Sequence, residues 1–380
     1  MSRFLNNRLT AFDPYVPGEQ PTDTFYIKLN TNESPYPPPP GVIKAIGETE
    51  LGKLNLYPNP NATKLIEKIA GFYNVNAENV VVGNGSDELL AFAFFAFFEG
   101  GVVFPDITYG FYPVYARLYD VPFTEIPLSS DMTINVSDYL NIGKNIVLAN
   151  PNAPTGTTIE LAEIEEILIS NPNRMVLIDE AYIDFGGVSA IPLVNKYDNL
   201  LVIHTYSKAR SMAGARLAYA IANETIINDI KTIKYSFNPY NVNRLTQVAG
   251  IAAIEEDEYY FRNNIEIAKT REYTTQRLKE LGFEMTDSKA NFLFVKHPQI
   301  GGRELYMELK SKGILIRHWD KPRIADYVRI SIGTKDQMDK LIDSVISVIA
   351  APRERGVAIP SAVIASEAWR SIKEVSGGRG

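Results

Sequence analysis

The chain has 380 residues, of which 45% are hydrophobic and 22% charged, with a formal net charge of −7 at pH 7. This composition is typical of a globular protein, and the length suits two domains. Because nucleic-acid and membrane-surface binders are usually basic, the acidic balance argues against both partners. There is no cysteine, and the three histidines form no zinc-binding pattern, so disulfides, thiolate chemistry and a metal site are not expected.

The start of the chain predicts neither a signal peptide nor a membrane anchor. The first ten residues, MSRFLNNRLT, lack an apolar core. The longest apolar run, at residues 89–98, is about half the length that a bilayer requires. A cytoplasmic protein is therefore expected.

The pattern of elements predicts an α/β fold. Residues 1–40 are rich in proline and are interpreted as an extended N-terminal arm. From residue 41, short runs of Val, Ile and Leu alternate with helical patterns, as in a sheet covered by helices on both faces. Strands are expected at residues 79–82, 102–104, 146–149, 175–178, 201–204 and 217–222, with helices at 87–98 and 161–169.

A smaller α+β domain is predicted in the carboxy-terminal part. A long charged helix pattern runs from residue 255 to about 281. The chain is thus predicted to consist of an arm at 1–40, a large domain at 41–270, a small domain at 271–350, and an appended tail at 351–380 outside the fold. Within the small domain, strands are expected at 292–295, 314–316 and 327–332, with a helix at 303–312.

The run GNGSDE at residues 83–88 lies between a predicted strand and a predicted helix. Backbone N–H groups at such a helix start can bind an anion. The alternative is an ordinary turn in which Ser86 or Asp87 caps the helix.

Asp179 ends a predicted buried strand, in the run IDEAY at residues 178–182. Open α/β sheets bind ligands outside the carboxyl ends of their strands. A carboxylate at this position can hold a protonated ring nitrogen. A helix cap or a magnesium ligand is the alternative, although no phosphate-loop signature accompanies it.

Lys208 follows another predicted buried strand, in the run TYSK at residues 205–208. A lone lysine is usually a solvated surface charge. In a partly desolvated site near other cations, however, its amine has a lowered pKa and can form a Schiff base. Ser207 offers a hydroxyl and Arg216 a planar guanidinium group, and both suit a phosphate. Together, these groups are the ones that a pyridoxal-phosphate enzyme needs.

The order of these motifs resembles that of the class-II aminotransferases of fold type I, and especially the histidinol-phosphate aminotransferases. The resemblance spans residues 8 to 350 and implies a large domain with a mostly parallel sheet of the seven-stranded type, plus a smaller α+β domain. The runs that carry it are GSDE 85–88, NPNAPTG 150–156, DEAY 179–182, SK 207–208 and AGAR 213–216. They are joined by PYVPG 14–18, LNTNESPY 29–36, LYP 56–58, PYNVN 239–243 and YVRISIG 327–333.

The resemblance also implies a role for each residue that matches a family motif. Lys208 would be the Schiff-base lysine and proton carrier, Asp179 would pair with the pyridine nitrogen, and Tyr182 would bond the phenolic oxygen. The remaining cofactor contacts would be a ring stacked on the pyridine and a set of phosphate ligands. These are Tyr109 for the ring, and Ser86, Asp87, Ser207 and Arg216 for the phosphate.

Two further implications concern a second subunit and the substrate. Tyr57 would reach the phosphate from the neighbouring subunit, which implies a homodimer with shared active sites. Arg329 would bind a substrate carboxylate. The expected reaction passes the amino group of L-histidinol phosphate to 2-oxoglutarate in histidine biosynthesis, and Tyr15, Asn32 and Arg317 are assigned to the substrate side.

One position departs from the family pattern. The asparagine that bonds the phenolic oxygen normally precedes Pro-Thr-Gly, where this chain has Ala153. Asn152, one residue earlier, is expected to take its place.

Several other functions fit parts of the sequence. An aromatic or broad-range aminotransferase would use the same cofactor residues, and an O-phosphothreonine decarboxylase would share the scaffold. A non-catalytic sensor module would normally carry a basic DNA-binding segment upstream, which the sequence lacks before residue 41. A nicotinamide dehydrogenase would need a strand–GxGxxG–helix unit, and none is present.

Overall fold

The computed structural model describes residues 2–6, 9, 12, 14–21 and 26–351. Thirteen strands and eleven helices are present within them. The strands are β1 Ile27–Lys28, β2 Val80–Gly83, β3 Val102–Pro105, β4 Phe123–Ile126, β5 Asn145–Ala149, β6 Val176–Asp179, β7 Leu200–Thr205, β8 Ala218–Ala222, β9 Glu284–Met285, β10 Phe292–Lys296, β11 Ile314–Leu315, β12 Arg317–His318 and β13 Tyr327–Ser331. The helices are α1 Pro40–Ala45, α2 Glu48–Leu51, α3 Thr63–Tyr73, α4 Ser86–Phe97, α5 Tyr112–Leu118, α6 Leu161–Ser170, α7 Glu224–Phe237, α8 Arg244–Glu255, α9 Asp257–Glu280, α10 Gly302–Ser311 and α11 Lys335–Ala350.

The large domain is built on a seven-stranded sheet with the order β2-β8-β7-β6-β5-β3-β4. All neighbouring strands from β4 to β7 are parallel. Strand β8 runs antiparallel to both β2 and β7, so the prediction of a mostly parallel seven-stranded sheet is confirmed. The carboxyl ends of β5, β6 and β7 therefore meet at one edge of the sheet.

Helices cover both faces of this sheet because its central strands are apolar on both sides. Strands β5, β6 and β7 are buried at every residue. One face packs with residues of α3, α6 and α8, and the other with residues of α4, α5 and α7. This three-layer arrangement is what near-continuous runs of Val, Ile and Leu predict.

The small domain contains a four-stranded antiparallel sheet with the order β12-β13-β10-β9. Part of the N-terminal arm is built into it, because β1 pairs with β11 in parallel and Leu29 is buried in its core. Ile267 and Leu278 of α9 are buried in the same core, so this long helix contributes to the small domain.

The elements predicted for the large domain are confirmed to within one residue at each end where the apolar run is continuous, as in β5 to β7. Strand β4 was missed. It lies at the edge of the sheet, and its central residues Thr124 and Glu125 are exposed, so its sequence carries no apolar run.

Among the described residues, no helix is both long and apolar enough to cross a membrane. The predicted tail at 351–380 lies outside the described residues except for Ala351.

Candidate active site

A cavity of about 360 Å³ lies at the carboxyl ends of β5, β6 and β7, where the start of α4 also points. Open α/β sheets place their ligand sites at this edge. The structure brings eight of the predicted cofactor residues together in its lining: Ser86, Asp87, Tyr109, Asp179, Tyr182, Ser207, Lys208 and Arg216.

Lys208 follows β7 and extends its amine into the cavity. The Nζ atom donates a hydrogen bond of 3.0 Å to the carbonyl oxygen of Thr31. Burial lowers the pKa of Lys208 to about 8, and the guanidinium of Arg329 adds to this effect. About a tenth of the amine is therefore neutral, and nucleophilic, at pH 7.

Asp179 ends β6 and is almost fully buried. Its Oδ2 accepts a hydrogen bond of 2.9 Å from the hydroxyl of Tyr112, and its Oδ1 accepts one of 3.2 Å from the backbone N–H of Ala181. Burial raises the pKa of this carboxyl to about 6, despite these two donors. A cationic group in the cavity would relieve this cost by pairing with the carboxylate.

The amino end of α4 forms one wall of the cavity. Gly85, just before the helix, has a φ of +80°, and a Cβ there would collide with the guanidinium of Arg216. Arg216 contacts Asp87 at 3.0 Å, and Asp87 also accepts a hydrogen bond of 2.8 Å from Tyr109. Helix N–H groups and a guanidinium thus face the same end of the cavity, as an anion requires.

Tyr182 and Asn32 meet on the opposite side. Asn32 Nδ2 lies 3.0 Å from the hydroxyl of Tyr182, and Asn32 Oδ1 accepts a hydrogen bond of 2.8 Å from Ser331. The N-terminal arm is thereby fixed between the large domain and β13 of the small domain. The amine of Lys208 lies 5.9 Å from the centre of the Tyr182 ring.

The predicted substrate residues lie beside the cavity. Tyr15 stacks on Phe111 with 4.1 Å between ring centres, and burial raises the pKa of its hydroxyl. Arg317 and Arg329 flank the ring of Trp319, with guanidinium carbons 5.4 and 5.3 Å from its centre.

Arg329 retains a free donor within the described part of the chain. Its Nη2 donates to the carbonyl oxygen of Asn30 at 2.9 Å, whereas its buried Nε has no hydrogen-bond partner there. An unpaired buried donor costs free energy, and an incoming anion would satisfy it.

Two predicted cofactor residues are not in the cavity lining. Asn152 is fully buried, and its amide is occupied by Ile107, Thr108 and Thr155 at 2.8 to 3.0 Å, while Ala153 lines the cavity instead. This arrangement argues against a direct contact between Asn152 and a cavity ligand. Tyr57 is 77% exposed and stacks on Tyr240.

Several residues of the site were not predicted from the sequence. Thr31, Glu33 and Thr205 line the cavity, and Tyr112 holds Asp179 from behind. Glu33 and Thr31 lie in the arm, far from the other motifs along the chain, and the pairing of β1 with β11 and the hydrogen bonds of Asn32 bring them here. Thr205 was within the TYSK run and could have been included.

Comparisons with known proteins agree with this geometry. The family model described as aminotransferase class I and II matches residues 24–345. The histidinol-phosphate aminotransferase of Brachyspira hyodysenteriae is 50% identical over 92% of this chain and 99% of the relative. That of Chromohalobacter salexigens is 47% identical over the same shares.

A solved structure shows the same fold. The histidinol-phosphate aminotransferase of Sinorhizobium meliloti, in complex with pyridoxal-5'-phosphate, superposes with a TM-score of 0.83 at 22% identity, covering 92% of this chain and 98% of the other. The family match spans most of the chain, and both relatives are matched along almost their entire length. The chain belongs to the class I and II aminotransferase family.

Proposed function

We propose that the protein is a pyridoxal-phosphate-dependent aminotransferase that passes the amino group of L-histidinol phosphate to 2-oxoglutarate in histidine biosynthesis, in the cytoplasm. The observation that carries the chemistry is the convergence of the Lys208 amine, the Asp179 carboxyl and the start of α4 on one cavity. The choice of amino donor is supported by the relatives named histidinol-phosphate aminotransferase at 43 to 50% identity.

The residues present fit the cofactor. Its phosphate would be held at the start of α4 by Ser86, the backbone N–H of Asp87, Ser207 and Arg216, whose guanidinium lies close against Gly85 in space that a side chain there would fill. Asp179 is buried with a raised pKa, so a protonated ring nitrogen is the partner that it lacks. Tyr182 offers a hydroxyl to the phenolic oxygen, and Tyr109 an aromatic face to the ring.

When bound, the cofactor supplies an aldehyde that accepts the donor's amino group and a ring that withdraws electrons from the adjacent carbon. The protein's own contribution is positioning and proton transfer. The amine of Lys208, with its pKa near 8, is suited to take a proton from the carbon that bears the amino group and to return it. Asp179, which the sheet shields from water, would pair with the ring nitrogen and keep it positively charged.

The substrate side combines cations with aromatic rings. Arg329 offers its unpaired Nε to an anionic group, and the guanidinium groups of Arg317 and Arg329 both lie against the Trp319 ring. Tyr15 and Tyr109, with ring centres 6.4 Å apart, supply apolar surface next to them. A donor with a phosphate at one end and a flat ring suits this combination, as does 2-oxoglutarate through its carboxylate.

We further propose that the protein acts as a homodimer in which Tyr57 completes the partner's site. Leu51, Leu54, Leu56 and Tyr57 are all exposed within seven residues of the chain, and the exposed Tyr240 stacks on Tyr57 at 4.4 Å. An apolar surface of this kind marks a protein interface. Tyr57 does not line the cavity of its own chain, so its role requires a second copy.

The amino donor is tested by single-turnover reactions of the cofactor-loaded protein. L-Histidinol phosphate is compared with phenylalanine, tyrosine and O-phosphothreonine while the cofactor's absorbance is followed. Fastest conversion with histidinol phosphate, followed by recovery with 2-oxoglutarate, is expected. A preference for an aromatic amino acid would instead identify a broad-range aminotransferase, and release of carbon dioxide from phosphothreonine would identify a decarboxylase.

The shared site is tested by mixing two inactive variants, Lys208→Ala and Tyr57→Ala, under conditions that exchange subunits. Mixed dimers contain one intact site, so about a quarter of the wild-type activity is expected to return. Absence of any recovery after proven exchange would refute the contribution of Tyr57 to the partner.

A further inference from the structure

A buried glutamate and a buried histidine connect the ends of two strands beneath the cavity. Glu180 directly follows β6, and His204 is the last residue but one of β7. Glu180 Oε2 lies 2.6 Å from His204 Nε2, and the two residues are 1% and 3% exposed. Successive residues of a strand point to opposite faces, so Glu180 turns away from the cavity that Asp179 lines.

The carboxylate of Glu180 gathers donors from separate parts of the chain. It accepts hydrogen bonds of 2.6 Å from the hydroxyl of Ser189 and from the backbone N–H of Ala190, in addition to the contact with His204. The backbone N–H of Glu180 donates to the carbonyl oxygen of Ile203 at 2.8 Å. The end of β6 is therefore fixed to β7 through both its backbone and its side chain.

His204 continues the network towards β8 and α3. Its Nδ1 lies 3.5 Å from the hydroxyl of Tyr73, which is 2.5 Å from the hydroxyl of Tyr219. The imidazole also stacks on the Tyr219 ring, with centres 5.3 Å apart. Arg210 and Asp184 are the charged groups that act on these two tyrosines. No member of this network lines the cavity.

We propose that Glu180 and His204 are positioning residues, which hold Asp179 and Lys208 at the separation that the reaction needs. This role rests on the proposed function, since it concerns the acid and the amine of that same site. Asp179 is one residue before Glu180, and Lys208 is four residues after His204. A small displacement of either strand end moves one reacting group relative to the other, and such misplacement is costly in catalysis.

The test compares His204→Leu, which removes the hydrogen bond, with His204→Gln, whose amide can still donate to Glu180. His297→Leu is the control, because His297 is also buried, bonds a carbonyl oxygen and packs on an aromatic ring, but lies in the small domain. Three properties are measured for each variant: the melting temperature, the Kd for pyridoxal phosphate, and amide hydrogen exchange of residues 203–209 in the cofactor-free protein.

His204→Leu is expected to weaken cofactor binding about tenfold, the effect of losing one charge-assisted hydrogen bond, and to speed exchange at residues 203–209. His204→Gln is expected to stay within about twofold of the wild type on both measures. His297→Leu should lower the melting temperature without either effect. If His204→Leu lowers only the melting temperature, as the control does, the pair serves packing alone and the proposal is overturned.

Two further comparisons separate the possible causes of a negative result. If His204→Leu does not fold, Glu180→Gln, which keeps the side-chain volume, takes its place with the same expected changes. None of the measurements uses an amino donor, so a wrong substrate would refute the proposed function and leave this inference standing. If the wild-type protein binds no cofactor, the proposed function fails, and the exchange data alone decide whether the pair holds the strand ends.

Discussion

Replacing Asp179 by asparagine is predicted to stabilise the cofactor-free protein. Burial raises the pKa of this carboxyl from 3.8 to about 6. The folded state therefore binds a proton more readily than the unfolded chain, and the stability that this group contributes falls as the pH rises from about 4 to about 6. Above that window, the ionised carboxylate destabilises the fold.

The pKa values of 3.8 and about 6 differ by about 2, which corresponds to about 3 kcal/mol at neutral pH. Asparagine carries no charge and keeps both hydrogen bonds, since its oxygen can accept from Ala181 and its amide can donate to the oxygen of Tyr112. Because the new amide contact is imperfect, a gain of about 1 to 3 kcal/mol in the free energy of unfolding is expected at pH 7.5. The gain should vanish at pH 4, where both side chains are neutral.

Urea unfolding of both proteins at pH 4, 6 and 7.5, followed by circular dichroism, measures this difference. With saturating cofactor at pH 7.5, the wild type should instead be the more stable of the two proteins. The carboxylate then pairs with the cationic ring, and ligand binding stabilises only the protein that binds tightly. Asp106→Asn is the control and should lower the free energy of unfolding, because it removes the charge that pairs with Arg323 at 2.5 Å. An Asp179→Asn protein that is less stable than the wild type at pH 7.5 without cofactor would refute the reasoning.

Three other predictions follow from single contacts. Reductive alkylation of the cofactor-free protein by a small aldehyde should modify Lys208 at a rate that is half-maximal near pH 8 and levels off about one pH unit higher, because the pKa of Lys208 is lowered to about 8. Peptide mass spectrometry checks this, with Lys208→Ala as the blank. Asn152→Ala should lower the free energy of unfolding by about 2 kcal/mol, because it leaves the carbonyl oxygen of Ile107 and the hydroxyl of Thr108 without their hydrogen bonds to Asn152. The Kd for pyridoxal phosphate should stay unchanged. A higher Kd would identify Asn152 as a cofactor ligand after all. Arg323→Ala should lower the free energy of unfolding, measured in urea, by about 1 kcal/mol, because Arg323 joins Asp106 and the carbonyl oxygen of Leu128 across the two domains. Arg303→Ala, which breaks only an exposed ion pair, should lower it by less.

The central strands and the positions of the reacting groups could be predicted from the sequence for the same physical reason. Strands that are covered on both faces must be apolar throughout, so β5, β6 and β7 stand out, and the residues at their carboxyl ends must lie at the edge of the sheet. Asp179 was recognisable as the residue that ends β6, and Lys208 because it lies shortly after β7. Edge strand β4 has no buried residue and gave no comparable signal.

The contacts that the sequence did not predict join segments far apart along the chain. Tyr112, in α5, donates a hydrogen bond to Asp179. The carbonyl oxygen of Thr31 accepts a hydrogen bond from Lys208, and Thr31 lies in an arm that is itself fixed by β11 and Ser331. No local periodicity encodes such contacts, because they depend on how complete elements pack.

The departure at Ala153 illustrates the limit of motif matching. The residue that aligns with the family's asparagine does line the cavity, whereas the asparagine beside it is turned into the protein to hold the loop. Residues 153–155 form a turn, and the amide of Asn152 is already bonded to Ile107, Thr108 and Thr155, which argues against its taking over the contact. The hydrogen bond from Asn32 to Tyr182 places a different amide beside the same hydroxyl. In this chain, the polar partner of Tyr182 therefore comes from the N-terminal arm, which explains why the arm must be anchored so firmly between the two domains.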